Sequence, residues 1–100
     1  MNTLNKTDQF SLWLDALKNV HAKAKIMVRL KRAEAGNFGD VTAVGEGISE
    51  MRIDFGPGYR VYFAQEGRAV YLLVCGGDKS TQTTDIGRAK AIWRSFKECK

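Results

Sequence analysis

The feature that most constrains this chain is a two-residue alternation on either side of Gly56-Pro57-Gly58. Met51, Ile53 and Phe55 point one way while Glu50, Arg52 and Asp54 point the other, the period of an extended chain. Alternation resumes with Tyr59, Val61 and Phe63 on one face and Arg60 and Tyr62 on the other. The intervening segment places one fixed φ between two residues of free φ, which turns the chain back on itself. For Met51, Ile53, Val61 and Phe63 to share a core face, paired residue numbers must sum to an even number, which pairing Ile53 with Tyr59 and Arg52 with Arg60 satisfies with a five-residue loop. Arg52, Arg60 and Tyr62 then fall together on the opposite, exposed face, with two guanidinium groups directly across from each other. A bound polyanion would relieve that repulsion. A surface ion-pair network with Glu50, Asp54 or Glu66 is the competing reading.

The rest of the chain supplies the layers around this hairpin. Residues 2–6 read as a short edge strand. Thr7 or Asp8 can cap a helix in which Phe10, Trp13, Leu14 and Leu17 recur with the helical period. A second helix follows from His21 to Ala35, apolar at Ala22, Ile26, Leu30 and Ala33 and basic elsewhere through Lys23, Lys25, Arg29, Lys31 and Arg32; Gly36 ends it. The two make an αα-hairpin. A short strand is expected near Val41–Val44. Ala69–Cys75 is apolar on both faces and reads as a covered central strand that Gly76-Gly77 ends. A last helix spans Asp85 to Glu98, with Ile86, Ala89, Trp93 and Phe96 on one face. The predicted fold class is α+β, a single domain over residues 1–100, with helices on one side of a small antiparallel sheet.

Lysine plus arginine number 16 against 11 acidic residues, a net charge of +5 with pI near 9.4. Such a surface attracts polyanions. Several chemistries are poorly served. The single histidine, His21, has no nucleophile and acid suggested beside it. No CxxC, HExxH or close acidic cluster points to a metal, and no phosphate-loop spacing is present. No cofactor is expected. Cys75 reads as a buried small apolar residue and Cys99 as an exposed thiol. The N-terminus lacks a leader pattern and no run approaches a membrane span, so a cytoplasmic protein without membrane contact is expected.

Gly36-Asn37-Phe38-Gly39-Asp40, Val44-Gly45-Glu46-Gly47-Ile48-Ser49-Glu50-Met51-Arg52-Ile53, Gly56-Pro57-Gly58-Tyr59-Arg60-Val61-Tyr62-Phe63 and Gly76-Gly77-Asp78-Lys79-Ser80-Thr81-Gln82 come in fixed order, with Asp85-Ile86 and Ala89 after them. Together they resemble the RelE/ParE superfamily of type II toxin–antitoxin toxins, in its HigB-like (addiction-module killer) branch. The resemblance implies a RelE-like fold and ribosome-dependent cleavage of mRNA by attack of a ribose 2′-OH on the adjacent phosphate. It also implies a helix-turn-helix antitoxin partner, through which the pair would bind operator DNA. Carried over by position, Arg60 matches the arginine on the scissile phosphate, Arg52 falls among the strand cations, and Lys79 is the basic residue after the glycine corner. Residues 80–100 hold no tyrosine where RelE carries one; Gln82 or Asp85 occupies that region. The resulting assignment makes Arg52, Arg60 and Lys79 the phosphate-stabilising cations and Asp78 or Glu50 the base. Tyr62 and Gln82 contact RNA, and Lys25, Arg29 and Arg32 grip ribosomal RNA. The alternatives are a ParE-like gyrase inhibitor and a non-catalytic co-repressor acting only with its antitoxin.

Overall fold

The structure is a computed structural model and describes residues 1–99. Five strands form one sheet in the order β1-β5-β4-β3-β2. These are β1 (Thr3–Lys6), β2 (Val41–Gly45), β3 (Ile48–Ile53), β4 (Tyr59–Gly67) and β5 (Val70–Asp78). The helices are α1 (Asp8–Ala16), α2 (Val20–Glu34) and α3 (Gln82–Glu98), the last preceded by a single 3₁₀ turn at Lys79–Thr81. The α+β class expected from sequence is the one observed. No helix among the described residues is long and apolar enough to cross a membrane.

The helices start where short polar side chains can satisfy free amides. Thr7 Oγ accepts from the Phe10 amide at 3.0 Å and also donates to the Val74 carbonyl at 2.5 Å, tying the start of α1 to β5. The Asn19 side chain accepts from the Ala22 amide at 3.1 Å and starts α2. Gly36, at φ +103°, takes the left-handed turn that lets the chain leave α2.

The β3–β4 register satisfies the alternation, with Ile53 opposite Tyr59 and Arg52 opposite Arg60. Two expectations are corrected. The sheet is mixed rather than antiparallel, because β1 joins β5 in parallel. It is also covered on both faces. Phe10 and Leu14 of α1, with Ala22, Ile26, Leu30 and Ala33 of α2, pack on Met51, Ile53, Val61 and Phe63. Ala89 and Trp93 of α3 pack on the other face, against Ile48, Tyr62, Ala64, Leu72 and Val74. The face that carries Arg52, Arg60 and Tyr62 is therefore partly roofed by α3.

Gly76-Gly77 does not end the central strand, which runs on to Asp78. Tyr62 pairs with Cys75 and Phe63 with Leu73, so Val74 is an extra residue, a bulge that reverses which side each later residue faces. Gly76 consequently meets the Trp13 ring of α1, and Gly77 meets the Asp85 carboxylate of α3. A Cβ at either position would collide with these groups. The two glycines are there for close approach.

Candidate functional site

Arg52, Arg60 and Lys79 come together. With Asp40, Asp54 and Gly58 they line an open cleft of about 320 Å³ at the end of the β3–β4 hairpin. The register sets Arg52 and Arg60 opposite each other, and Gly58, at φ +81°, lets the backbone pass between them and Lys79. A Cβ on Gly58 would stand 3.3 Å from an Arg60 guanidinium nitrogen and 3.6 Å from Lys79 Cβ.

The two arginines avoid each other by reaching in opposite directions. Arg52 leans toward β2, where one guanidinium nitrogen donates to Asp40 at 3.0 Å and to the Thr42 hydroxyl at 2.8 Å. Arg60 donates to the Gly58 carbonyl at 2.8 Å, and its Nε lies 3.5 Å from Glu50 Oε2. That spacing is an ion pair without hydrogen-bond geometry, and the Nε atoms of both arginines are buried without a hydrogen-bond partner. A guanidinium has five N–H donors in a planar fork. The buried Nε atoms cannot meet a ligand, but both side chains line the cleft, Arg52 at 41 % exposure and Arg60 at 10 %. Lys79 is exposed at the start of the 3₁₀ turn.

Behind the cleft stands Glu50, 2 % exposed. It accepts from the Tyr62 hydroxyl at 3.1 Å and from Gln82 Nε2 at 2.9 Å. Tyr62 is fully buried, so the expectation that it stands exposed beside the arginines is overturned: α3 covers it. Burial first, then the Glu50 charge and the hydrogen bond to it, push its phenol well above the ordinary value. Gln82 is half-buried and holds Glu50 from the first residue of α3.

Asp78 does not line the cleft. Its carboxylate accepts from the Ser80 amide at 2.9 Å and the Ser80 hydroxyl at 2.5 Å, capping the 3₁₀ turn. These bonds, the Ser80 hydroxyl foremost, hold its carboxyl below the usual range, which makes it a poorer proton acceptor.

The α2 cations divide. Arg29 is spent inside the protein, donating to the Arg52 carbonyl at 2.5 Å and the Phe38 carbonyl at 2.9 Å. Desolvation lowers its pKa, against the attraction of Asp40. Lys25 and Arg32 are exposed. All three line a second groove of about 500 Å³ beside Val28, Asp54 and Phe55. Ile53 and Asp54 line both grooves, which therefore adjoin. Along the adjoining grooves six cations (Arg52, Arg60, Lys79, Lys25, Arg29, Arg32) face two carboxylates (Asp40, Asp54).

Sequence reasoning missed the placement of Asp40 and Phe55. For Asp40 a signal existed. The Gly45-Glu46-Gly47 turn announces a β2–β3 hairpin, in which an irregularity between Ala43 and Gly45 sets Val41 opposite Met51 and brings Asp40 beside Arg52, whose amide bonds the Asp40 carbonyl at 2.9 Å. Asp54 was placed on the Arg52 face by the alternation itself, whereas Phe55 gave no such signal, since its place depends on how α2 crosses the hairpin.

An uncharacterized protein of Haemophilus influenzae is 52% identical over 89 residues, covering 89% of this chain and 90% of its own. No solved structure matches. The model of the family described as phage derived protein Gp49-like (DUF891) matches residues 12–96, and the chain belongs to that family.

Proposed function

We propose that this protein is the toxin of a type II toxin–antitoxin module and acts as a ribosome-dependent endoribonuclease on mRNA. The observation that carries the reading is the convergence of Arg52, Arg60 and Lys79 on one cleft that adjoins the cationic groove of α2. Membership of a phage-derived family and the RelE/HigB-like sequence blocks support it.

Cleavage by 2′-OH attack forms the bond from the 2′ oxygen to phosphorus and breaks the bond to the 5′ oxygen, which takes a proton from solvent water as it leaves, giving a 2′,3′-cyclic phosphate and a 5′-OH. The pentavalent phosphorane carries extra negative charge on its non-bridging oxygens. Arg60 and Lys79 bind those oxygens, and Arg52, anchored on Asp40, adds charge from the facing strand. The base is reassigned. Asp78 is committed to its cap, whereas Asp54 lines the cleft and takes the 2′-OH proton. An ordinary carboxylate is a weak base at neutral pH. Fixing the RNA on the ribosome supplies the remaining advantage, since positioning alone is worth up to about 7–11 kcal/mol. A helix-turn-helix antitoxin is the expected partner, with operator DNA bound through it.

Primer extension on mRNA from cells expressing the protein tests the reading. Codon-phased cuts are expected, absent in Arg60→Ala and in Lys79→Ala. The lysine is exposed, so its loss does not disturb the core. Uncut mRNA with accumulated double-strand DNA breaks would sink the reading in favour of a gyrase poison.

A further inference from the structure

The groove between α2 and the end of β3 holds more than charge. Phe55 is half-buried at its floor, Lys25 Nζ lies 5.8 Å from the centre of the Phe55 ring, and Val28, 48 % exposed, borders it. Its volume of about 500 Å³ falls among small-ligand pockets. It shares the Ile53–Asp54 wall with the phosphate cleft.

We propose that this groove is a nucleotide subsite: the RNA nucleotide adjoining the scissile phosphate stacks its base on Phe55 and sets its own phosphate against Lys25 and Arg32. The inference rests on the nuclease reading above and adds where the neighbouring base goes. Three features select single-stranded RNA. Every base offers a π-face to an aromatic ring, and such stacking outweighs an exposed cation–π contact. Lys25 can therefore leave the ring and follow the phosphate. The cations in the groove outnumber its one carboxylate, Asp54, by three to one (Lys25, Arg29, Arg32). The groove also adjoins the cleft along Ile53 and Asp54, so one chain crossing that wall can reach both.

The test compares the cut-site maps of wild type, Phe55→Leu and Phe55→Tyr by primer extension in cells, with thermal melts of the purified proteins. Leucine keeps the apolar floor and removes the π-face; tyrosine keeps both. Phe55→Leu should fold, cut about tenfold less, as expected for one lost base stack, and lose the base preference beside the cut. Phe55→Tyr should restore both. A Phe55→Leu map identical to wild type overturns the subsite and leaves the nuclease standing. So does a loss of cutting matched by a collapse of the melt and not rescued by tyrosine. Normal cutting by Phe55→Leu with escape from a co-expressed neighbouring-gene protein would make the groove a protein-docking surface instead. No cuts by wild type would overturn the nuclease reading and the subsite with it.

Discussion

The Glu50 carboxylate sits directly behind the Arg60 guanidinium, Oε2 to Nε 3.5 Å, with side chains 2 % and 10 % exposed. Tyr62 and Gln82 hold the same oxygen from β4 and α3. Removing one member of a buried pair strands the other charge, at about 3–5 kcal/mol. Glu50→Ala should therefore lose about that much in urea unfolding. Glu50→Gln, which keeps an acceptor for Tyr62 and Gln82, should lose clearly less. Equal losses for the two would show that the hydrogen bonds from Tyr62 and Gln82 add nothing and that the lost charge beside Arg60, which both variants remove, carries the whole effect.

Gly77→Ala should destabilise by about 1–3 kcal/mol or more, because the new methyl overlaps the Asp85 carboxylate in a packed interior. In a chain of this size that is a fall in Tm of about 4–8 °C per kcal/mol. Gly67→Ala, where nothing lies within 4 Å of the added methyl, should leave Tm nearly unchanged. Thermal melts of the pair check the contrast.

Burial, and after it the Asp85 charge, push the Cys75 thiol up to about 12 from an ordinary 9.0. Above pH 9 the unfolded chain loses this proton while the folded chain keeps it. The stability that Cys75 contributes is thus complete below pH 9 and is lost as pH rises toward 12. Urea unfolding at pH 8 and pH 10.5 should show the decline, and Cys75→Ala should flatten it. At pH 8 iodoacetamide should label the exposed Cys99 and spare Cys75 until the protein is denatured.

Arg29 and Arg32 lie one turn apart on α2 and should separate cleanly. Arg29→Ala removes two bonds from a charged donor to backbone carbonyls and should cost about 1.5–3 kcal/mol in chemical denaturation. Arg32→Ala touches an exposed side chain and should stay within about 0.5 kcal/mol. In the cut-site assay Arg32→Ala should weaken cutting while the fold is intact.

The faces of the hairpin were legible, because the side-chain period of a strand is two and a core face admits one parity, and the observed register is the one of that parity that closes on a five-residue loop. The convergence of Arg52 and Arg60 followed from it. The burial of Tyr62 did not. It depends on α3 returning over the second face, and a seventeen-residue amphipathic helix does not announce which face of a sheet it will cover. The bulge at Val74 was likewise hidden, since an apolar run without alternation carries no register. Gly76 and Gly77 looked like a strand end for that reason. Arg29 read as a surface cation because helical spacing marks the faces of α2 but not the carbonyls of Phe38 and Arg52 beneath one of them.

Within the proposed reaction, Asp54→Asn should lower cutting by about 10²–10⁴-fold, the usual worth of a general base. Asp78→Asn should affect cutting far less, acting only through its cap.

The most direct measurement is mass spectrometry of the new 3′ end formed when the purified protein meets ribosomes programmed with a defined mRNA. A 2′,3′-cyclic phosphate at a codon-phased cut, absent with Lys79→Ala, is the predicted result. Intact mRNA from a protein that still arrests growth would contradict the account.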